Sequence, residues 1–212
     1  MKKIFISLFN VITLSHTTTI AAPFQAPIKT FTEYCQQKST LSQETKHTVE
    51  VLLKKAGTQN CQQANQKLSN LTELDIVHSK LSDLKPLANF TNLTSLGLWN
   101  NQITDVKPLA NLTKLTTLKI KANQITKLKP LANLTKLTNL ELWDTQITDV
   151  KHLANLTKLT NLGLGFNQIT NLQPLGNLTN LTNLVLRGNK ITDLTPLASL
   201  TNLTHLELWT NK

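Results

Sequence analysis

The chain has 212 residues, of which 40% are hydrophobic and only 5% aromatic, with a formal net charge of +10. This apolar content excludes a disordered chain, and the length suffices for one domain with a substantial core. Leu and Ile fill the apolar positions while Asn and Thr crowd the others, which points to a repeated template and not to an irregular globule.

Met1, Lys2 and Lys3 precede a largely apolar run from Ile4 to Leu14 and a small-residue stretch from Thr17 to Ala22. This is the three-part layout of a secretory signal peptide, and the run is too short to span a bilayer. Pro23 suits a peptidase poorly at the first mature position, so residues 1–21 are expected to leave by cleavage between Ala21 and Ala22. The alternative is an uncleaved apolar N-terminus, since Ser7 and Asn10 weaken the run. Export would place the mature chain in the periplasm or the medium. With no Cys directly after the cleavage point, no lipid anchor is expected. Loss of the two charges on Lys2 and Lys3 takes the formal charge from +10 to +8, still basic enough to attract anionic partners.

Residues 22–67 are expected to form a helical N-terminal cap. Ser42 is a predicted N-cap for a helix from Gln43 to Ala56, with Glu44 in its first turn, Lys54 and Lys55 in its last, and Gly57 after it. Val49, Leu52, Leu53 and Ala56 make its buried stripe. Laid over the first strand of a repeat array, such a helix covers apolar side chains and unpaired backbone. Cys35 and Cys61 are the only cysteines. An even count behind an export signal reads as one disulfide around this helix, and no further ligands stand close enough for a metal site.

From residue 68 to 212 one template generates the chain. Leu96, Leu118, Leu140, Leu162, Leu184 and Leu206 recur every 22 residues. A degenerate copy starts at Leu68 and a truncated one at Leu200, so there are about six full copies and one partial copy. The phrasing Leu-x-x-Leu-x-Leu-x-x-Asn is that of the leucine-rich repeat. It predicts an α/β fold: a right-handed solenoid with a parallel concave sheet, short helical turns on the convex side and the helical cap at its N-terminal end. In each short strand Leu118 and Ile120, or their equivalents, point inward while Thr117, Lys119 and Lys121 point outward. Asn101, Asn123, Asn167, Asn189 and Asn211 end the strands, where an inward amide can satisfy bending backbone. Ser79 and Thr145 hold this column in the other copies, where the ladder should be weaker. Asp83, Asp105, Asp149 and Asp193 are expected to accept backbone N–H groups at the convex turns, and Pro86, Pro108, Pro130, Pro174 and Pro196 to fix φ within them.

The run from Ile191 to Leu203, Ile-Thr-Asp-x-x-Pro-Leu-Ala-x-Leu-Thr-Asn-Leu, resembles the bacterial internalin-like leucine-rich repeats, and the resemblance extends from about Leu68 to the end. It implies export and protein recognition by the concave sheet, often through aromatic side chains. The family's C-terminal cap and its wall or membrane attachment segments have no counterpart in these residues. A bare strand edge is therefore expected after Asn211, with fraying, or self-association through that edge.

The informative positions are those the template leaves free. Trp99, Trp143 and Trp209 share one outward column with Val77, Lys121, Gly165 and Arg187, where no core demands a large ring. The neighbouring column includes Lys119, Glu141 and Glu207, with Phe166 just beyond. A partner-binding site is expected at Trp99, Lys119, Lys121, Glu141, Trp143, Phe166, Arg187, Glu207 and Trp209. Lys121 and Arg187 stand within cation–π reach of the rings, an arrangement that also serves merely to shield an idle ring.

Lys85, Lys107, Lys129 and Lys151, with Lys114, Lys136 and Lys158, form two basic stripes off the sheet. They suit an anionic surface polysaccharide or other polyanion, or simply a solvated surface; nucleic acid is not the expected partner. The Asn-Leu-Thr sequons and Gly163-Leu-Gly165 follow from the repeat. His47, His78, His152 and His205 lack ligand partners, and no nucleophile, base and oxyanion donors converge, so neither enzyme activity nor a cofactor or metal is expected.

Overall fold

The computed structural model describes residues 29–211, so the expected signal peptide lies outside the described residues. Three helices open the fold: α1 (Phe31–Gln36), α2 (Gln43–Ala56) and α3 (Cys61–Ser69). Seven strands follow: β1 (Glu73–Asp75), β2 (Ser95–Gly97), β3 (Thr117–Lys119), β4 (Asn139–Glu141), β5 (Asn161–Gly163), β6 (Asn183–Val185) and β7 (His205–Glu207). They pair in parallel in sequence order, and every strand sits one repeat from its neighbour, Leu96 opposite Leu118 and Leu118 opposite Leu140.

Helix α2 has the expected ends. The Thr45 N–H donates to Ser42 Oγ, and Gly57 takes the left-handed conformation at φ 64° that only glycine adopts freely. Val49, Leu52, Leu53 and Ala56 are buried. Its partner in the repeats is the first convex turn more than the first strand: Thr45 Oγ1 donates to Asp83 Oδ2, Thr48 Oγ1 to the Asp83 carbonyl at 2.7 Å, and His47 Nε2 contacts the Ser79 carbonyl at 2.7 Å.

Helices α1 and α3 were not among the expected elements, yet both carry a start signal. Thr30 and Glu33 form a reciprocal capping box, and Asn60 Oδ1 accepts the Gln63 N–H at 3.0 Å. The Cys35–Cys61 disulfide joins these two helices. Leu68, the first residue of the repeat phrasing, lies in the last turn of α3 and is buried. Phe31 packs on Phe90, ring centroids 5.9 Å apart, and Phe90 stands where later copies hold Leu112 or Leu134. The second copy thus opens with an enlarged core side chain where the cap docks.

Between strands the chain returns through 3-10 turns such as Lys107–Leu109 and Lys129–Leu131. Asp105 and Asp149 accept the N–H two residues on, from Lys107 and Lys151, each at 2.8 Å. Buried leucines fill the space between turns and sheet from Leu74 to Leu186. Asn167 shows how the ladder works: its Nδ2 donates to the Leu142 and Leu164 carbonyls at 2.8 and 2.9 Å, and its Oδ1 accepts from Ile147 N at 2.9 Å. Thr145, fully buried, donates to the Leu142 carbonyl at 2.8 Å but takes up no N–H from the preceding turn. A second ladder went unassigned in the sequence reading. Hydroxyls of Thr94, Thr116, Thr138, Thr160, Thr182 and Thr204 each donate to the carbonyl one repeat back, at 3.1 to 3.2 Å.

At the far edge Leu206 is 41% exposed. No helix among the described residues is long and apolar enough to cross a membrane.

Candidate functional site

The side chains expected to meet a partner form one connected strip on the outer face of the sheet. Glu141 stands 3.7 Å from Lys119 Nζ and 3.4 Å from Lys121 Nζ. Lys121 lies between two rings, 5.6 Å from the Trp99 centroid and 5.9 Å from that of Trp143. Arg187 continues the strip, its guanidinium 4.7 Å from Trp143, 5.2 Å from Phe166 and 4.8 Å from Trp209. Arg187 Nη1 donates to Glu207 Oε2 at 3.1 Å, and Phe166 meets Trp209 edge to face at 6.0 Å.

None of the three tryptophans belongs to the buried core. Trp99 and Trp143 are half-buried, whereas Trp209 and Phe166 are 54% and 45% exposed. Strand alternation sends the Trp column outward, and the backbone beyond it explains Phe166. His78, Asn100, Ala122, Asp144, Phe166 and Thr210 all have φ between 51° and 59°, and Gly188 has φ 66°. This left-handed residue ahead of each ladder position turns the chain off the sheet. Phe166 leans over Gly188, whose missing Cβ would lie 2.6 Å from the ring.

A glycine notch shapes the centre of the strip. Gly163 and Gly165 both occupy outward positions around β5. A Cβ on Gly163 would fall 1.7 Å from Trp143 Nε1, and one on Gly165 would fall 3.3 Å from Arg187 Cγ. Trp143 and Arg187 therefore lean into the gap from opposite sides. Beside it lies a shallow depression of about 190 Å³, walled by Asn139, Glu141, Trp143, Asn161 and Asn183 over a floor of Leu162, Gly163 and Val185.

Three buried side-chain atoms lack a hydrogen-bond partner among the described residues, and all gather here: Trp143 Nε1, Asn183 Oδ1 and Arg187 Nε. Each such atom costs about 1–3 kcal/mol when left unpaired. The Glu207 carboxyl is held below the usual glutamate range, first by a hydrogen bond from His205 and then by the Arg187 charge.

The sequence reading missed several members of this face. His78 packs edge-on to Trp99 at 4.5 Å, and Asn100 Nδ2 donates to its Nδ1 at 2.6 Å. His205 joins Glu207 at 3.0 Å. The Asn139, Asn161 and Asn183 column was also unremarked. The available signal was the pair of outward glycines, which marks missing side chains in an otherwise filled face. Among the described residues no three His, Cys, Asp or Glu side chains group as metal ligands.

A strand per repeat in one parallel sheet, an inward Asn ladder and 3-10 returns define a solenoid of leucine-rich repeats. The family described as leucine rich repeats (2 copies) matches residues 91–133, 135–177 and 179–212. The fold resembles an internalin from Listeria monocytogenes at 38% identity and TM-score 0.62, covering 68% of this chain and 49% of that one. A second internalin from the same species shows 34% identity and TM-score 0.60, with 76% and 82% covered. A leucine-rich repeat protein of Leptospira interrogans shows 27% identity and TM-score 0.59, with 70% and 45% covered. The match thus spans about half the length of the first and third of these relatives. None of the curated proteins matches the sequence. The chain belongs to the leucine-rich repeat family, in its bacterial internalin-like form.

Proposed function

We propose that this protein is a non-enzymatic binding module that docks a protein partner on the open sheet. The supporting observation is the strip of Trp99, Trp143 and Trp209 outside the core, with Lys121 and Arg187 set against the rings. Large rings held in place on a surface lose little freedom on binding and bury much area, which is what interface hot spots require. Lys119, Glu141, Phe166 and Glu207 supply the polar and apolar surround. Export from the cell accompanies this reading, supported by the disulfide between Cys35 and Cys61.

The test is a pull-down from envelope and extracellular fractions with the wild-type chain and a triple Trp→Ala variant. A protein retained by the wild type at high salt and lost by the folded variant supports the reading. Equal retention by both removes it.

A second reading has one observation in its favour, a segregation of charge. In the repeats, the sheet face carries Lys119, Lys121 and Arg187 against Glu73, Asp75, Glu141, Asp144 and Glu207. Off the sheet, ten exposed lysines, among them Lys107, Lys127, Lys129 and Lys151, face only Asp83, Asp105, Asp149 and Asp193. That flank suits an anionic surface polysaccharide. Retention on a sulfated resin should fall steeply with salt; retention indifferent to salt rules it out.

A further inference from the structure

We infer that the depression over β5 is a binding site for one ring of a neutral sugar. It does not depend on protein docking, although Trp143 and Glu141 border both sites. Asn139, Asn161 and Asn183 bring three carboxamides to successive strands at its wall. Within the described chain Asn139 and Asn183 make no side-chain hydrogen bond, and Asn161 makes one, from Nδ2 to Thr160 Oγ1 at 3.1 Å. A carboxamide and a hydroxyl each donate and accept, so a row of one matches a row of the other.

The repeat does not dictate these asparagines. The same column holds Glu73, Ser95, Thr117 and His205 in other copies, and Asn occurs only in the three copies that wall the depression.

Charge and shape narrow the ligand. No cation lines the depression, and its one ionised group, Glu141, is already paired with Lys119 and Lys121, so an anionic ligand finds no counter-charge there. The indole edge, with a small exposed part of Val185, offers the apolar surface for the C–H face of a pyranose, while Leu162 stays in the core beneath. At about 190 Å³ the space is below that of a drug-sized pocket, roughly 300 Å³ and upward, and holds one ring. Trp143 and Asn183, which carry two of the unpartnered buried atoms, belong to its lining, although those two atoms are themselves covered.

The experiment is a nuclear magnetic resonance titration of the ¹⁵N-labelled protein with the methyl glycosides of glucose, galactose, mannose and N-acetylglucosamine, with acetamide as the peptide-like control. At least one glycoside should shift the Trp143 indole N–H and the Asn161 and Asn183 side-chain signals saturably, leaving the Trp99 and Trp209 indoles unmoved. Asn161→Thr and Asn183→Thr should each weaken that binding about tenfold. Threonine already fills this column at Thr117, so both variants keep a residue the sheet accepts. The inference is overturned by an absence of saturable shifts, by equal shifts with acetamide, or by unchanged affinity in both variants. Because the titration uses glycosides alone, its failure is separate from that of the Trp-dependent protein capture.

Discussion

The guanidinium of Arg187 lies 4.7 Å from the ring of Trp143, although the two residues stand two repeats apart. The contact exists because the intervening repeat presents Gly163 and Gly165 outward, so that neither flanking side chain meets a third one. Several consequences can be measured.

Gly163→Ala places a methyl group where Trp143 Nε1 now lies, 1.7 Å from the ideal Cβ. The indole must swing outward and leave Arg187. Tryptophan emission should shift to the red, with a small change in the urea midpoint because no core leucine moves. An unshifted spectrum would show that the ring does not rest on the glycine.

Arg187→Gln removes a cation from three rings and an ion pair from Glu207. At ~0.5–1 kcal/mol for each of the three cation–π contacts, stability should fall by about 1.5–3 kcal/mol. Urea unfolding measures this, and an unchanged midpoint would mean that the stacking is energetically idle.

Thr145→Asn should stabilise the solenoid. Asn123 and Asn167 each take up a backbone N–H from the preceding turn, whereas Thr145 does not do this for Ile125. Restoring the amide is worth about 1 kcal/mol. Conversely, Asn167→Ala strips partners from Ile147 N and the Leu142 and Leu164 carbonyls, a loss of ~2–4 kcal/mol. Denaturant midpoints moving in the same direction for both variants would contradict the ladder argument.

Glu207 sets a pH signature at the far edge. His205 and Arg187 lower its carboxyl pKa in the folded chain. A carboxyl lowered by folding adds stability that is complete above its unfolded pKa and is lost as pH falls through the folded value. Acidification through the ordinary glutamate range should therefore leave the Arg187 pair intact, and the pair should break only at lower pH. His205→Ala should move the titration back up; side-chain carboxyl resonances report both, and a Glu207 that titrates like a free glutamate would refute the arrangement.

Reduction of Cys35–Cys61, or Cys35→Ser, frees two helices whose cysteines are 26 residues apart. Loop entropy puts the loss at about 3 kcal/mol. The cap should loosen first, seen as faster amide exchange in α1 and α3 than in the central strands. Uniform loss of protection would show that the cap and the repeats unfold as one unit.

The covalent spacing of side chains by itself determined the solenoid. A leucine pattern repeating every 22 residues can be buried only if successive copies stack, and strand alternation then sends Trp99, Trp143 and Trp209 outward wherever their rings finally rest. Ser42, Gly57 and the aspartates beside the convex turns are equally local, because each acts on backbone within a few residues. Register also brought Lys121 to Trp143 and Arg187 to Trp209 in adjacent copies; what tertiary structure alone decided is which other side chains meet. Arg187 reaches Trp143 because β5 lacks side chains between them, α1 docks through Phe31 because Phe90 opens the second repeat with a larger ring, and the Asn139, Asn161 and Asn183 amides share a wall because their strands pair in register. These contacts depend on space left by residues a repeat or more away, which the sequence marks only as a break in the template at Gly163 and Gly165 and does not assign to any partner.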